Sequence, residues 1–321
     1  RPDERADLEK QAALHGVELS VTDAVPTLEN ASLAAGCIGV SILGQGCIDA
    51  ALLDAYHALG IRYLSTRTIG YDHIDLDHAR SIGLRVCSAS YAPNGVADFT
   101  VMMILMCLRH YKQALWRGQV NDFSLTGLQG REMKDLTIGI IGTGRIGAQV
   151  ARNLSGFGCR ILAYDLRRNP AVEPQVTYVD FDTLLAQSDV ITLHMPLLDS
   201  NRHIINRESI SKMRDGVVIV NCSRGELADI EALIEGIETG KIGALGMDTV
   251  EGDEGIIHAD HRVDILPNRN WFYLHQFRNV IMTQHMAFYT DAAVSSMVDC
   301  GGICQMAAGE SCPTELTGPV Q

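Results

Sequence analysis

Residues 137–147 read T-I-G-I-I-G-T-G-R-I-G, an apolar, β-branched run that breaks into Gly142-x-Gly144-x-x-Gly147. That spacing suits a dinucleotide pyrophosphate. The first glycine permits a tight turn, the second a close approach of backbone to phosphate, and the third close packing of a helix on its strand. A helix expected over 148–157 would aim its free N–H groups at the phosphates. A second apolar run, 160–164, leads to Asp165, eighteen residues past Gly147. A carboxylate there accepts hydrogen bonds from the adenosine ribose. A glycine turn alone is a weak signal. Strand, glycines, helix, strand and acid in one unit read as a nicotinamide-dinucleotide site.

Reduction of a keto acid with such a cofactor needs three more groups. One holds the carboxylate, one protonates the nascent alkoxide, and one fixes and charges that acid. Three strand ends offer them. Arg224, in Asn221-Cys222-Ser223-Arg224-Gly225, follows the apolar run 217–220. Its planar fork suits a carboxylate and a keto oxygen, although an arginine there also reads as a surface residue. Of eleven histidines, His285 and His194 sit just past strands of this domain, and histidine exchanges protons near neutrality. His194 precedes Met195-Pro196, a turn expected to line the cofactor, so context makes His285 the candidate, although any one histidine taken alone is more often structural. Asp248, Glu251, Asp253 and Glu254 follow the run 244–247. A carboxylate beside an imidazole raises its pKa and orients the ring, while acid clusters equally decorate solvated loops.

The elements that must hold these residues are strands expected near 137–141, 160–164, 177–179, 189–193, 217–221, 243–247 and 280–283, alternating with helices. That alternation predicts a doubly wound parallel sheet with its ligand at the strand C-termini. Residues 1–95 show a second, smaller alternation, with strands at 38–42, 63–65 and 84–88 and a helix at 49–59. Long helices are expected over 98–120, with apolar residues nearly all round it, and over 291–308. The expected fold class is α/β, with two Rossmann-like or flavodoxin-like doubly wound parallel-sheet domains and a cleft between them for a small substrate. Residues 1–97 plus 290–321 form the substrate domain, and 98–289 the NAD-binding domain. The tail from residue 309 reads as short and loose.

Composition narrows the partners. Hydrophobic content of 46% with 6% aromatic fits a soluble α/β protein. A net charge of −13 argues against nucleic acid or an anionic membrane surface. The longest apolar run, 99–108, is too short to span a bilayer, and no signal peptide is visible. Nine cysteines without framework spacing read as free thiols in a reducing cytoplasm. Cys300 and Cys304 could share a helix face, with Cys312 beyond, yet further ligands for a metal are missing from the pattern, so none is expected.

Several stretches together resemble one family. They are the run from Ser65 to Asp75, the run from Tyr91 to Asp98, the glycine fingerprint, Thr192-Leu193-His194-Met195-Pro196, the run from Asn221 to Gly225, and the run from Thr283 to Thr290. Over essentially its whole length the chain resembles the D-isomer-specific 2-hydroxyacid dehydrogenases, nearest the D-lactate dehydrogenase branch that includes the vancomycin-resistance type. The resemblance implies that Arg224 binds the substrate carboxylate and keto oxygen, and that His285 donates the proton. Backbone N–H groups in Thr68-Ile69-Gly70 would hold the carboxylate, and Tyr91 would line the substrate pocket. Arg145 and Ile146 would sit under the pyrophosphate, Cys222 and Ser223 beside the cofactor, and Asp248 near the nicotinamide amide.

The pattern departs from the family in three places. The histidine's usual glutamate partner falls at Asp253, with Glu254 next door, and the shorter side chain gives up about 1.5 Å of reach. Gln284 stands where a proline is usual. The chain opens directly into a helix-like stretch, so a leading strand is expected to be missing. Asp165 should repel a 2′-phosphate and favour NAD over NADP, with Arg167 and Arg168 softening that preference. Leu43 stands where some relatives carry a bulky aromatic, which leaves room for larger 2-keto acids.

The reading that follows is NADH-dependent reduction of pyruvate or a similar 2-keto acid to the D-2-hydroxy acid, by a homodimer joined through the 98–120 helix. A D-2-hydroxyisocaproate or phenyllactate dehydrogenase is the alternative. An NAD-sensing corepressor-like module is disfavoured because arginine, histidine and carboxylate all persist. Formate, phosphite and glycerate dehydrogenases fit the loop before His285 less well.

Overall fold

The structure, a computed structural model, describes residues 4–318 apart from 45 and 267. The first apolar runs form β1 (Gly39–Ile42), β2 (Tyr63–Thr66) and β3 (Arg85–Ser88), paired parallel in the order β1-β2-β3. Helices α1 (Arg5–His15), α2 (Ala50–Ala58) and α3 (Leu76–Ser81) accompany them. Asp49 and Asp75 cap α2 and α3 by accepting from Leu52 N and His78 N, which fixes where each helix starts. The core of this unit is Leu52, Leu53, Ile61, Leu64 and Val86, all but sealed from solvent. The segment after residue 311 adds an antiparallel edge to β3, with Leu316 N donating to Val86 O at 2.7 Å. The Glu315 carboxylate accepts both forks of Arg85 there.

The chain then forms α4 (Asn94–Leu108) and α5 (Tyr111–Gln119), and a run of strands and helices. The strands are β4 (Thr137–Ile141), β5 (Arg160–Tyr164), β6 (Thr177–Tyr178), β7 (Val190–Leu193), β8 (Val217–Asn221), β9 (Ile242–Met247) and β10 (Val280–Met282). Between them come α6 (Arg145–Ser155), α7 (Phe181–Gln187), α8 (Arg207–Lys212), α9 (Ile230–Glu238) and α10 (Arg269–Gln276). All seven strands are parallel, in the order β10-β9-β8-β7-β4-β5-β6. β4, β7 and β8 are buried along their whole length, as a sheet covered on both faces requires of continuous β-branched runs. The order reverses between β4 and β7, and a crevice at the strand C-termini opens at such a switch point. Finally α11 (Asp291–Met297) and α12 (Gly301–Ala307) return to the first unit. The two units are Arg1–Ala92 with Tyr289–Gln321, and Pro93–Phe288.

Three helix expectations need correction. The single helix over 98–120 is two. His110 takes a left-handed backbone (φ 51°), and the Leu108 carbonyl accepts from Arg131 N instead of continuing the ladder. The apolar residues divide with it: α4 is largely buried, while α5 has none buried. The helix over 291–308 is also two, because the Asp299 carboxylate accepts from Gly301 N at 2.8 Å and starts a new turn. The helix after the glycines begins at Arg145, three residues earlier than expected, with Gly144 as its cap.

Candidate active site

Gly142 has φ +93°, and a Cβ there would lie 2.7 Å from the His194 carbonyl oxygen. A Cβ on Gly147 would collide with the Gly142 carbonyl oxygen, whereas one on Gly144 would meet nothing within 4 Å. The outer two glycines are thus required by packing, and the middle one leaves open backbone at the N-terminus of α6. This arrangement fits a pyrophosphate, whose charge the first-turn N–H groups would meet. Arg145 opens α6 and is exposed, and Ile146 is half-buried against the core under α4. Asp165, just past β5, accepts from Thr143 N at 2.6 Å and from Arg167 N at 3.0 Å.

The two candidate histidines differ in what surrounds them. His194 follows β7, is 9% exposed, and shares a hydrogen bond of 3.0 Å with Thr192 Oγ1. Its Nδ1 is buried with no hydrogen-bond partner among the described residues, and burial holds its pKa down at about 3. A ring that stays neutral in the physiological range packs against the glycine turn and is not the imidazolium that a general acid needs. Met195 is half-buried, and Pro196 is exposed with its carbonyl bonded to Asn201.

His285 lies in the turn after β10, half-buried, with φ +52°. Left-handed backbone is uncommon for a residue with a Cβ, and the turn is held from below. Asp248, 1% exposed at the end of β9, spends both oxygens on it. Oδ1 accepts from Thr283 Oγ1 at 2.6 Å and Met286 N at 2.9 Å, and Oδ2 accepts from Ala287 N at 2.8 Å. Charged acceptors make the strong bonds. On the open side the His258 ring nitrogen meets the His285 carbonyl at 3.2 Å, and the rings of His258 and Phe288 lie 6.1 and 6.2 Å from the His285 ring. Neither Asp248 as a clamp nor His258 was legible as such; the only signal for the clamp was an acid directly after a strand.

Two strands over, Asn221 closes the turn after β8. Its amide donates to Arg224 O at 2.7 Å and its oxygen accepts from Ser223 N at 3.0 Å. Ser223 Oγ donates to Leu193 O, tying this turn to β7. The Cys222 side chain turns into the core beneath α4, so only its backbone remains for a cofactor. A Cβ on Gly225 would run into the Val250 and Glu251 backbone; its absence lets the loop of acids lie against the Arg224 turn.

Those acids separate cleanly. Glu251 is committed to Arg202 at 2.7 Å and His203 at 2.8 Å. Glu254 is exposed and, with Gly252, Ile256 and Leu266, lines a surface cavity. Asp253 is half-buried and accepts from Val250 N at 3.2 Å. Burial pushes it up to about 6; the Val250 bond opposes that, and the charges of Glu226, Glu254 and Asp248 add to it.

In the other unit, Thr68 Oγ1 donates to Gly70 O and shares a 2.6 Å bond with Thr66 Oγ1, which shapes the turn Thr68-Ile69-Gly70 after β2. A Cβ on Gly44 would lie 2.7 Å from Thr68 Cγ2, so the turn carrying Leu43 packs beside it. Tyr91, Leu43, Ile69 and Gly70 are all half-buried. Among the described residues no group of three or more His, Cys, Asp or Glu is placed to hold a metal, and all nine cysteines are free.

Residues 101–287, more than half of the chain, match the model of the D-isomer specific 2-hydroxyacid dehydrogenase, NAD binding domain. The chain is 41% identical over 303 residues to an aromatic 2-oxoacid reductase of Clostridium sporogenes, covering 93% of this chain and 91% of that protein. The chain belongs to the D-isomer-specific 2-hydroxyacid dehydrogenases. Its structure resembles the apo-structure of D-lactate dehydrogenase from Escherichia coli, with TM-score 0.85 and 35% identity over 98% of this chain and 97% of that one. It likewise resembles a D-2-hydroxyisocaproate dehydrogenase, with TM-score 0.86 and 30% identity over 99% and 98%. This dehydrogenase is therefore an NAD-dependent oxidoreductase of two α/β domains. No helix among its described residues is long and apolar enough to cross a membrane.

Proposed function

We propose that this dehydrogenase reduces a 2-keto acid to the D-2-hydroxy acid, with Arg224 binding the substrate's carboxylate and keto oxygen and His285 giving the proton. The observation that carries this reading is the pair of shaped strand-end turns, the Asn221 turn presenting Arg224 and the Asp248-held turn presenting His285. NADH, when bound, supplies the hydride. His285 delivers its proton to the forming alkoxide, and Asp253, with its half-buried carboxyl, stabilises the imidazolium. Glu251 is spent on Arg202 and His203, and Glu254 is exposed, which leaves Asp253 for that role. Gly142, Gly144, Arg145, Ile146 and Gly147 would hold the pyrophosphate, Asp165 the adenosine ribose, and His194, Met195, Pro196, Cys222 and Ser223 the rest of the cofactor. Thr68, Ile69, Gly70 and Tyr91 would contact the acid, on the strength of their motif. Exchange of His285→Gln should lower turnover by at least about 100-fold with NADH binding kept. Turnover within a few-fold of the parent would remove the assignment.

Pyruvate is the substrate that the branch resemblance puts first. A larger, aromatic 2-keto acid is the second reading, favoured by Leu43 and by the relative named for aromatic 2-oxoacids. Oxidation of NADH with pyruvate, 2-ketoisocaproate and phenylpyruvate side by side decides between them by kcat/KM, and chiral analysis checks the D-product. One or two methylenes are worth about 1–3 kcal/mol, so activity with all three is expected. A cytoplasmic enzyme is in keeping with nine free thiols, and a homodimer in keeping with the apolar surface of α5.

A further inference from the structure

Tyr178 belongs to no motif, yet it stands at the centre of the adenosine end of the cofactor domain. β6 is the edge strand, and Ala163↔Tyr178 is its last pair with β5, two residues before Asp165. The Tyr178 hydroxyl donates to Thr143 Oγ1 at 2.8 Å and accepts from Asn169 N at 2.9 Å. Thr143 passes the bond on, since its hydroxyl donates to Asp165 Oδ2 at 3.1 Å, beside its own backbone N–H at 2.6 Å. The Asn169 amide closes the ring by donating to Thr143 O at 2.8 Å. On the other side, the Arg168 guanidinium lies 5.5 Å from the centre of the Tyr178 ring.

We infer that Tyr178 is a positioning residue that sets the preference for NADH over NADPH: its hydroxyl fixes Asp165 through Thr143, and its ring face holds Arg168 away. The inference rests on Asp165 being the ribose acceptor. A carboxylate offers about four acceptor sites, and three donors of this chain already occupy Asp165: Thr143 N, Thr143 Oγ1 and Arg167 N. It is therefore oriented before a ribose arrives and loses little freedom on binding. A 2′-phosphate would have to displace this fixed anion or draw in a cation. Of the two neighbouring cations, Arg167 and Arg168, the second is held on an aromatic face by a cation–π contact. Tyr178 thus acts on both halves of the discrimination, fixing the anion through Thr143 and engaging one of the two cations.

The test is the dissociation constant for NADH and for NADPH, read from nicotinamide fluorescence, with kcat at saturating NADH alongside. Tyr178→Phe keeps the ring and removes the hydroxyl. It should weaken NADH about threefold to tenfold, the range of one hydrogen bond, with NADPH binding and kcat little changed. Tyr178→Leu removes the ring as well and should in addition tighten NADPH, because Arg168 is released. Thr143→Val should match Tyr178→Phe, and the two together should be no worse than either, since they break one chain. Unchanged NADH binding in Tyr178→Phe, or equal weakening of both cofactors, overturns the positioning role. Unimproved NADPH binding in Tyr178→Leu overturns the part given to Arg168. Asp165→Asn separates the layers. If it leaves the NADH-to-NADPH ratio unchanged, the ribose reading itself fails; if it shifts the ratio while Tyr178→Phe does not, only the positioning fails.

Discussion

Asp253 is a carboxyl kept where its charge is disfavoured. In an unfolded chain it titrates near 3.9; in the fold, burial lifts it to about 6. Between those values the native state binds the extra proton, so stability falls as pH rises from about 4 through about 6. At neutral pH the protein carries that cost in full. Asp253→Asn should therefore stabilise the fold at pH 7 by up to about 3 kcal/mol, and thermal melts should show the gain at pH 7 and its loss at pH 4. The same exchange removes the charge that supports an imidazolium at His285, so turnover should fall by roughly two orders of magnitude. The acid limb of kcat/KM near pH 6 should go with it. A variant both less stable and fully active would remove the role proposed for Asp253. His194 carries the opposite sign. Its pKa, held at about 3, means that the unfolded chain binds the proton first and stability is lost as pH falls below about 6.5.

Among the elements, the turn after β10 is the one on which the proposed chemistry depends. Three bonds to one buried carboxylate hold His285 in a left-handed backbone. Asp248→Asn is close in shape, but its amide cannot accept at both positions. Melts should show a loss of about 1–3 kcal/mol. Turnover at saturating NADH should drop tenfold or more, because a shift of about 1 Å in a reacting group is costly. A large loss of stability with turnover intact would mean that the turn is set by other contacts. The ends of β4, β7, β8 and β10 were legible in the sequence because buried parallel strands are continuous apolar runs, and their first polar residues mark the crevice. The helix breaks were harder. At His110 neither glycine nor proline interrupts the apolar pattern, and the stop comes from a carbonyl claimed by Arg131, far along the chain. At Gly301-Gly302 the signal was present as two adjacent glycines, but the bond from Gly301 N to the Asp299 carboxylate is a matter of geometry. The choice between Asp253 and Glu254 was closed to sequence, because it turns on burial, half-buried at Asp253 and exposed at Glu254, which adjacent positions in a loop do not reveal.

At the scale of the whole molecule, α5 and the residues after it carry an apolar run that a monomer would not be expected to keep exposed. On α5 and the residues after it, Leu115 (52% exposed), Trp116 (64%), Val120 (58%), Phe123 (77%) and Leu125 (82%) all face solvent within eleven positions. Single apolar residues scattered over a surface need no explanation, but five large ones exposed within eleven positions point to an interaction site. The sequence put the dimer face on one helix encircled by apolar residues. The break at His110 gives burial to α4 and exposure to α5, so the proposed homodimer rests on α5 alone. Tryptophan at the middle of such a patch is the residue most apt to dominate its energy. Light scattering at micromolar concentration should give twice the chain mass for the parent and the single mass for Trp116→Glu, with the far-ultraviolet spectrum unchanged. A parent that scatters as a monomer at that concentration removes the dimer. A Trp116→Glu variant that stays dimeric moves the interface to another face of the molecule.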